Sequence, residues 1–114
     1  MQKFKVYQDG NKDFFVDTDN YCFAENIARE KATRDNTTMI IERTQGNKIE
    51  SVFIGKYEIY SNAKGYSIQR KGQYNRWEYL KSLYNGKAVF VSDHTHQKHY
   101  KTIASAKRAV NSIM

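Results

Sequence analysis

Proline is absent from this chain, and cysteine occurs once, at Cys22. Without proline there are no rigid Pro-rich spacers or polyproline ligand segments. A lone cysteine excludes an internal disulfide framework and a zinc site built on cysteine pairs, so Cys22 is expected to be a small buried hydrophobe on a helix. No stretch approaches the roughly 20 apolar residues of a membrane span, and MQKFKVYQDGNKDFF lacks the apolar run of a secretion signal. A cytoplasmic location with no membrane partner is therefore expected. Acidic residues are scarce in one half only. Residues 58–114 hold Glu58, Glu78 and Asp93 against ten Lys and Arg, giving 10 − 3 = +7, whereas residues 1–57 balance nine against nine. The whole excess lies in the second half, where a positive surface concentrates polyanions.

What is present is aromatic and polar. Apolar residues make up 39% of the chain and aromatics 14%, a balance that favours a folded, sheet-rich domain over disorder. Phe4 to Tyr7, the turn pair Asp9-Gly10, and Phe14 to Val16 read as a hairpin. Asp19 or Asn20 can cap a helix to about Arg34, with Phe23, Ile27 and the alanines 24, 28 and 32 as its core stripe and Glu25, Asn26, Arg29 and Glu30 toward water. Residues 38–42 and 49–54, joined through Gln45-Gly46-Asn47, make a second hairpin, and a short strand at 56–60 follows. Residues 62–65 are the expected linker. Residues 66–71, 77–84 and 88–91, with turns at 72–75 and Asn85-Gly86, predict three antiparallel strands. Thr102 can then cap a helix carrying Ile103, Ala106, Val110 and Ile113 toward the sheet and Lys107 and Arg108 away from it. The expected fold class is α+β, antiparallel strands with two helices, about β-β-α-β-β then β-β-β-α. It is read as one domain over residues 1–114, with a neutral subregion 1–61 and a basic subregion 62–114.

The stretch SDHTHQKHYK, residues 92–101, holds all three histidines. His94 and His96 would share a side of an extended segment, with Asp93 or His99 completing a metal site. No second cluster of ligands exists elsewhere to close the shell, so no metal is expected. Imidazoles, ordinarily near pKa 6.5, suit phosphodiester cleavage with Lys98 or Lys101 holding the developing charge. Paired carboxylates are missing, however, and the cluster is read as a solvated turn, with no catalytic residue and no cofactor. The stronger pattern is basic and aromatic: Arg70, Lys71, Tyr74, Arg76, Tyr79, Lys81, Lys87, Lys98, Lys101, Lys107 and Arg108 are the nucleic-acid-binding candidates, in a region that also holds Tyr66, Trp77, Tyr84 and Tyr100. Cations neutralise phosphates and rings stack on bases or sugars.

On Arg76-Trp77-Glu78-Tyr79, Asn85-Gly86-Lys87 and Tyr100-Lys101-Thr102 followed by Ala104, Ala106 and Ala109, residues 66–113 resemble a known domain. It is the three-stranded-sheet-plus-helix domain that binds arm-type DNA sites in tyrosine integrases, a form shared with plant ethylene-responsive transcription factors. The resemblance implies a sheet lying in the DNA major groove, with basic residues of its strands at the DNA. The integrases' catalytic domain has no counterpart, so recombinase chemistry is not expected. The whole chain, Lys-, Asn- and Tyr-rich, also resembles accessory proteins of phages and mobile elements. The leading expectation is a non-enzymatic protein that binds nucleic acid, DNA ahead of RNA, or a nucleoprotein complex. The alternative that the second resemblance implies is an inhibitor of a host defence protein, such as an RNA-guided nuclease (anti-CRISPR-like), whose partner would be a nucleic-acid-binding host protein. A metal-free ribonuclease using the histidines stands third, and a homodimer is allowed.

Overall fold

The computed structural model describes residues 3–46 and 48–113, apart from the side chains of residues 12–15 and 73. The fold is α+β, with eight antiparallel strands and two helices, which is richer in sheet than expected. The chain forms two compact units, Met1–Lys56 and Tyr57–Met114.

In the first unit, β1 (Phe4–Gln8), β2 (Asn11–Thr18), β3 (Thr38–Arg43) and β4 (Lys48–Ile54) run in the order β2-β1-β3-β4. Helix α1 (Tyr21–Asp35) lies between β2 and β3 in sequence. Asn20 caps it by accepting from the Phe23 amide, and Asn36 ends it in the left-handed region, φ 53°. Strand alternation sends Phe4, Val6, Met39, Ile41 and Phe53 into one core with Ala24, Ala28 and Ala32. Two expectations fail on this helix. Phe23 is 51% exposed and Cys22 is exposed, so neither is core. At 100° per residue, Phe23 points about 140° from the centre of the alanine ridge and Cys22 about 120°, so a sheet seated on the alanines leaves both outside. Of the turn expected at Gln45-Gly46-Asn47, the first two residues form a turn and Asn47 lies outside the described residues.

The second unit orders its strands β5 (Tyr57–Asn62), β6 (Gly65–Lys71), β7 (Trp77–Tyr84) and β8 (Lys87–Val91) consecutively, followed by α2 (Ile103–Ile113). The short strand expected at 56–60 is β5, and it lies in this unit beside the three expected at 66–71, 77–84 and 88–91. Residues 62–65 are not a linker: Asn62 pairs with Gly65 across a two-residue turn, and the division between the units falls at Lys56 and Tyr57. Helix α2, capped where the Ser105 amide donates to Thr102 Oγ1 at 3.1 Å, packs on β5 and β6. It buries Ala106, Ala109 and Val110, and Ile59, Ile68 and Leu80 are buried on the sheet.

The ladder between β6 and β7 covers only Gln69 to Lys71, and beyond it residues 98–100 enter between the two strands. The Lys98 amide donates to the Leu80 carbonyl at 2.8 Å, and Tyr100 exchanges two hydrogen bonds with Tyr66, at 2.7 and 2.8 Å. This insertion lays the histidine stretch on the sheet.

Candidate nucleic-acid interface

The register of the second unit assigns each candidate to a face. Tyr57, Arg70 and Glu78 lie side by side, as do Ile59 and Ile68, on the face that carries α2. Arg70 ion-pairs with Glu78 at 2.9 Å, and its guanidinium sits 3.8 Å from the centre of the Phe90 ring, which stacks on Tyr57 at 6.0 Å. The charge of Arg70 is engaged inside the unit, so this candidate is a packing residue.

The β7–β8 hairpin is offset by a bulge at Lys81: Leu80 pairs with Phe90, but Ser82 pairs with Val89. Plain alternation from Leu80 would turn Ser82 and Tyr84 toward the helix. The extra residue inverts the phase, so half-buried Leu83 and Ala88 face α2 while Ser82, Tyr84, Lys87 and Val89 face away. Tyr84 is 77% exposed and Val89 49%. Asn85 and Gly86, at φ 51° and 76°, are both left-handed, as a tight hairpin turn of this kind requires. Farther along the open face, the Lys71 ammonium lies 5.1 Å from the centre of the Trp77 ring, and Tyr79 meets His94 edge-on at 6.0 Å.

The open face therefore gathers Lys71, Tyr79, Lys81 and Lys87, with exposed Tyr74 and Arg76 in the turn before β7. It does not gather the rest. Lys98 lies over the Tyr100 ring at 5.5 Å, Lys101 precedes α2, and half-buried Lys107 and exposed Arg108 are on that helix. The candidates form at least two surfaces. Tyr84 and Val89 take their outward position from the bulge, and Lys64, exposed in the β5–β6 turn, is a further cation that the basic string did not flag.

The three acids of this unit all have partners within it. Glu58 is buried and accepts from Gln69 Nε2 at 3.0 Å, and Glu78 holds Arg70. Asp93 accepts from the backbone amide of Thr95 at 2.9 Å and its hydroxyl at 2.7 Å, which holds its carboxyl below the usual range. Among the described residues, exposed Lys64, Arg76, Lys81, Lys87, Lys98, Lys101 and Arg108 have no carboxylate partner. In the first unit, by contrast, Glu25–Arg29, Glu30–Arg34, Lys31–Asp35 and Arg43–Glu50 pair at 2.9 to 3.4 Å.

His94 and His96 occupy an exposed 3-10 turn after β8, with His96 Nε2 3.8 Å from Asp93. His99 is half-buried, its Nδ1 3.1 Å from the Oγ of buried Ser67. Among the described residues, no three His, Cys, Asp or Glu side chains are grouped to hold a metal, and no helix is long and apolar enough to cross a membrane. Comparison with protein-family models, curated proteins and solved structures gives no match to this chain.

Proposed function

We propose that the protein is a non-enzymatic nucleic-acid-binding protein that presents the open face of its β7–β8 hairpin to duplex DNA. The observation that carries this reading is the distribution of charge in the second unit. Its acids are engaged internally, while Lys81 and Lys87 flank exposed Tyr84 on the face opposite α2. Such cations release counterions on meeting phosphates, and an exposed ring between them can pack on sugar or base. The B-form major groove, about 12 Å wide, admits a two-stranded ribbon, whereas the deep, narrow groove of A-form RNA does not, so DNA stands ahead of RNA. The resemblance to the arm-type DNA-binding domain likewise implies a sheet laid in the major groove with basic residues of its strands at the DNA; here that face is covered over β5 and β6, where Glu58 and Ser67 are buried, and exposed at the β7–β8 hairpin.

The test is duplex binding by fluorescence anisotropy with the variant K81E/K87E. We expect at least a tenfold loss of affinity with little change in melting temperature, because exposed charges contribute little to stability. Failure of the wild-type protein to bind at low salt, or equal binding by the variant, would overturn the proposal. Exposed Tyr84 and Val89 favour a second reading, a face for a nucleic-acid-binding host protein of the kind an inhibitor grips. That reading gains if wild-type protein captures a partner that survives nuclease digestion while it retards no duplex.

A further inference from the structure

Between the β5–β6 turn and the stretch 94–99 lies an open cleft of about 310 Å³, lined by Asn62, Lys64, His94, Thr95, Gln97 and His99. Its hydrogen bonds have a direction. The Lys64 amide donates to Asn62 Oδ1 at 3.0 Å, which fixes that side chain with its nitrogen toward Ser67, 2.9 Å from Oγ. Ser67 Oγ accepts there, and its own proton faces two acceptors, the Tyr60 oxygen and His99 Nδ1 at 3.1 Å; we assign it to the imidazole nitrogen, the stronger base. A neutral His99 held in this way carries its proton on Nε2, on the side of the ring away from buried Ser67. Separately, the Tyr60 hydroxyl donates to Gln97 Oε1, turning the Gln97 amide nitrogen outward. The Thr95 hydroxyl is spent on Asp93.

The consequence is one-sided. Asn62 Oδ1, Gln97 Oε1 and His99 Nδ1 each take a hydrogen bond from within. The donors left for a ligand are His99 Nε2–H, the Gln97 amide, the second Asn62 N–H and the Lys64 ammonium, with the His94 ring beside them in the lining. Asp93, the carboxylate of this segment, is turned to Thr95 and His96. A wall of donors with a cation at its rim recognises a compact oxyanion.

We propose that this cleft is a binding site for a phosphate group, carried on a nucleotide or on a nucleic-acid strand. The volume is at the low end for ligand clefts, about 300 Å³, enough for a phosphate and its sugar. The site stands on its own hydrogen bonding and does not depend on the hairpin face.

The experiment uses the full-length 15N-labelled protein, with backbone and imidazole 15N spectra recorded during titration by inorganic phosphate at constant ionic strength. We expect His99 to show the Nε2–H tautomer, and saturable shifts at Lys64, Gln97 and the His99 ring that chloride does not produce. Lys64→Gln should weaken phosphate binding at least threefold, with duplex binding unchanged where the source is a free or terminal phosphate; K81E/K87E should weaken duplex binding and leave phosphate binding intact, so the two proposals fail separately. Titration with a nucleoside monophosphate and with an oligonucleotide lacking terminal phosphates then identifies the source. Saturation by the first alone means a terminal or free phosphate, and by both a strand phosphodiester. The opposite His99 tautomer, no shifts with phosphate, or shifts spread evenly over the exposed lysines would overturn the site.

Discussion

Tyr60 shows how a single side chain ties the histidine stretch to the sheet. Its hydroxyl is half-buried on β5 and donates to Gln97, and burial, followed by the neighbouring Tyr79, pushes its pKa up to about 12. The sign follows from linkage: an unfolded tyrosine ionises near 10, so between about pH 10 and 12 the unfolded state loses its proton while the folded state keeps it. The contribution of Tyr60 to stability is complete below pH 10 and is lost as pH rises through its folded value. Titration of tyrosinate absorbance should therefore show a last step near pH 12 that is missing in Tyr60→Phe, and denaturant midpoints should fall less steeply above pH 10 in the variant. A wild-type protein whose tyrosines all ionise near 10 would refute this. Tyr100 is also raised by burial, but among the described residues its hydroxyl has no hydrogen-bond partner, so it lacks the tie that Tyr60 makes.

At the scale of elements, the insertion of residues 98–100 between β6 and β7 depends on Gly65. This glycine has φ 125°, and a Cβ there would overlap the Tyr100 carbonyl oxygen. Gly10, at φ 82°, has open space around the same position, so comparing the two separates backbone strain from crowding. Gly10→Ala should cost about 1 kcal/mol from strain alone, and Gly65→Ala about 2 kcal/mol or more, because the inserted segment must also shift. Equal denaturant midpoints for the two variants would show that the insertion is loose. The Asn85-Gly86 turn, the Asn20 and Thr102 caps and the alanine ridge of α1 were legible in the sequence because each is written in a few adjacent or regularly spaced residues. The turn at 62–65 was not, since Asn, Ala, Lys and Gly serve a linker as well as a tight turn. The insertion and the Lys81 bulge were not legible either: the first is settled by Tyr66, far back along the chain, and the second by the pairing register with β8, which no residue type at Lys81 signals. The bulge decides which way Tyr84 faces, so the basic and aromatic composition of the site could be read while its face could not.

For the molecule as a whole, the decisive quantity is how many of its cations meet phosphate at once. The first unit is balanced and laced with internal ion pairs, and the net charge of +7 resides in the second. Diffuse attraction to DNA would use all ten cations of the second unit, for a slope of log K against log salt of about −9. Docking of the hairpin face uses Lys71, Lys81, Lys87 and the adjoining Arg76, for a slope of about −3.6. The two mechanisms are therefore separable by salt dependence alone. We expect a slope near −3.6, reduced in magnitude by about 2 in K81Q/K87Q and unchanged in K101Q/R108Q, whose side chains lie before and on α2, or in Arg34→Gln in the first unit. A slope near −9, or equal reductions from the hairpin and helix variants, would mean that the second unit attracts DNA as a positively charged body and that its open face has no special role.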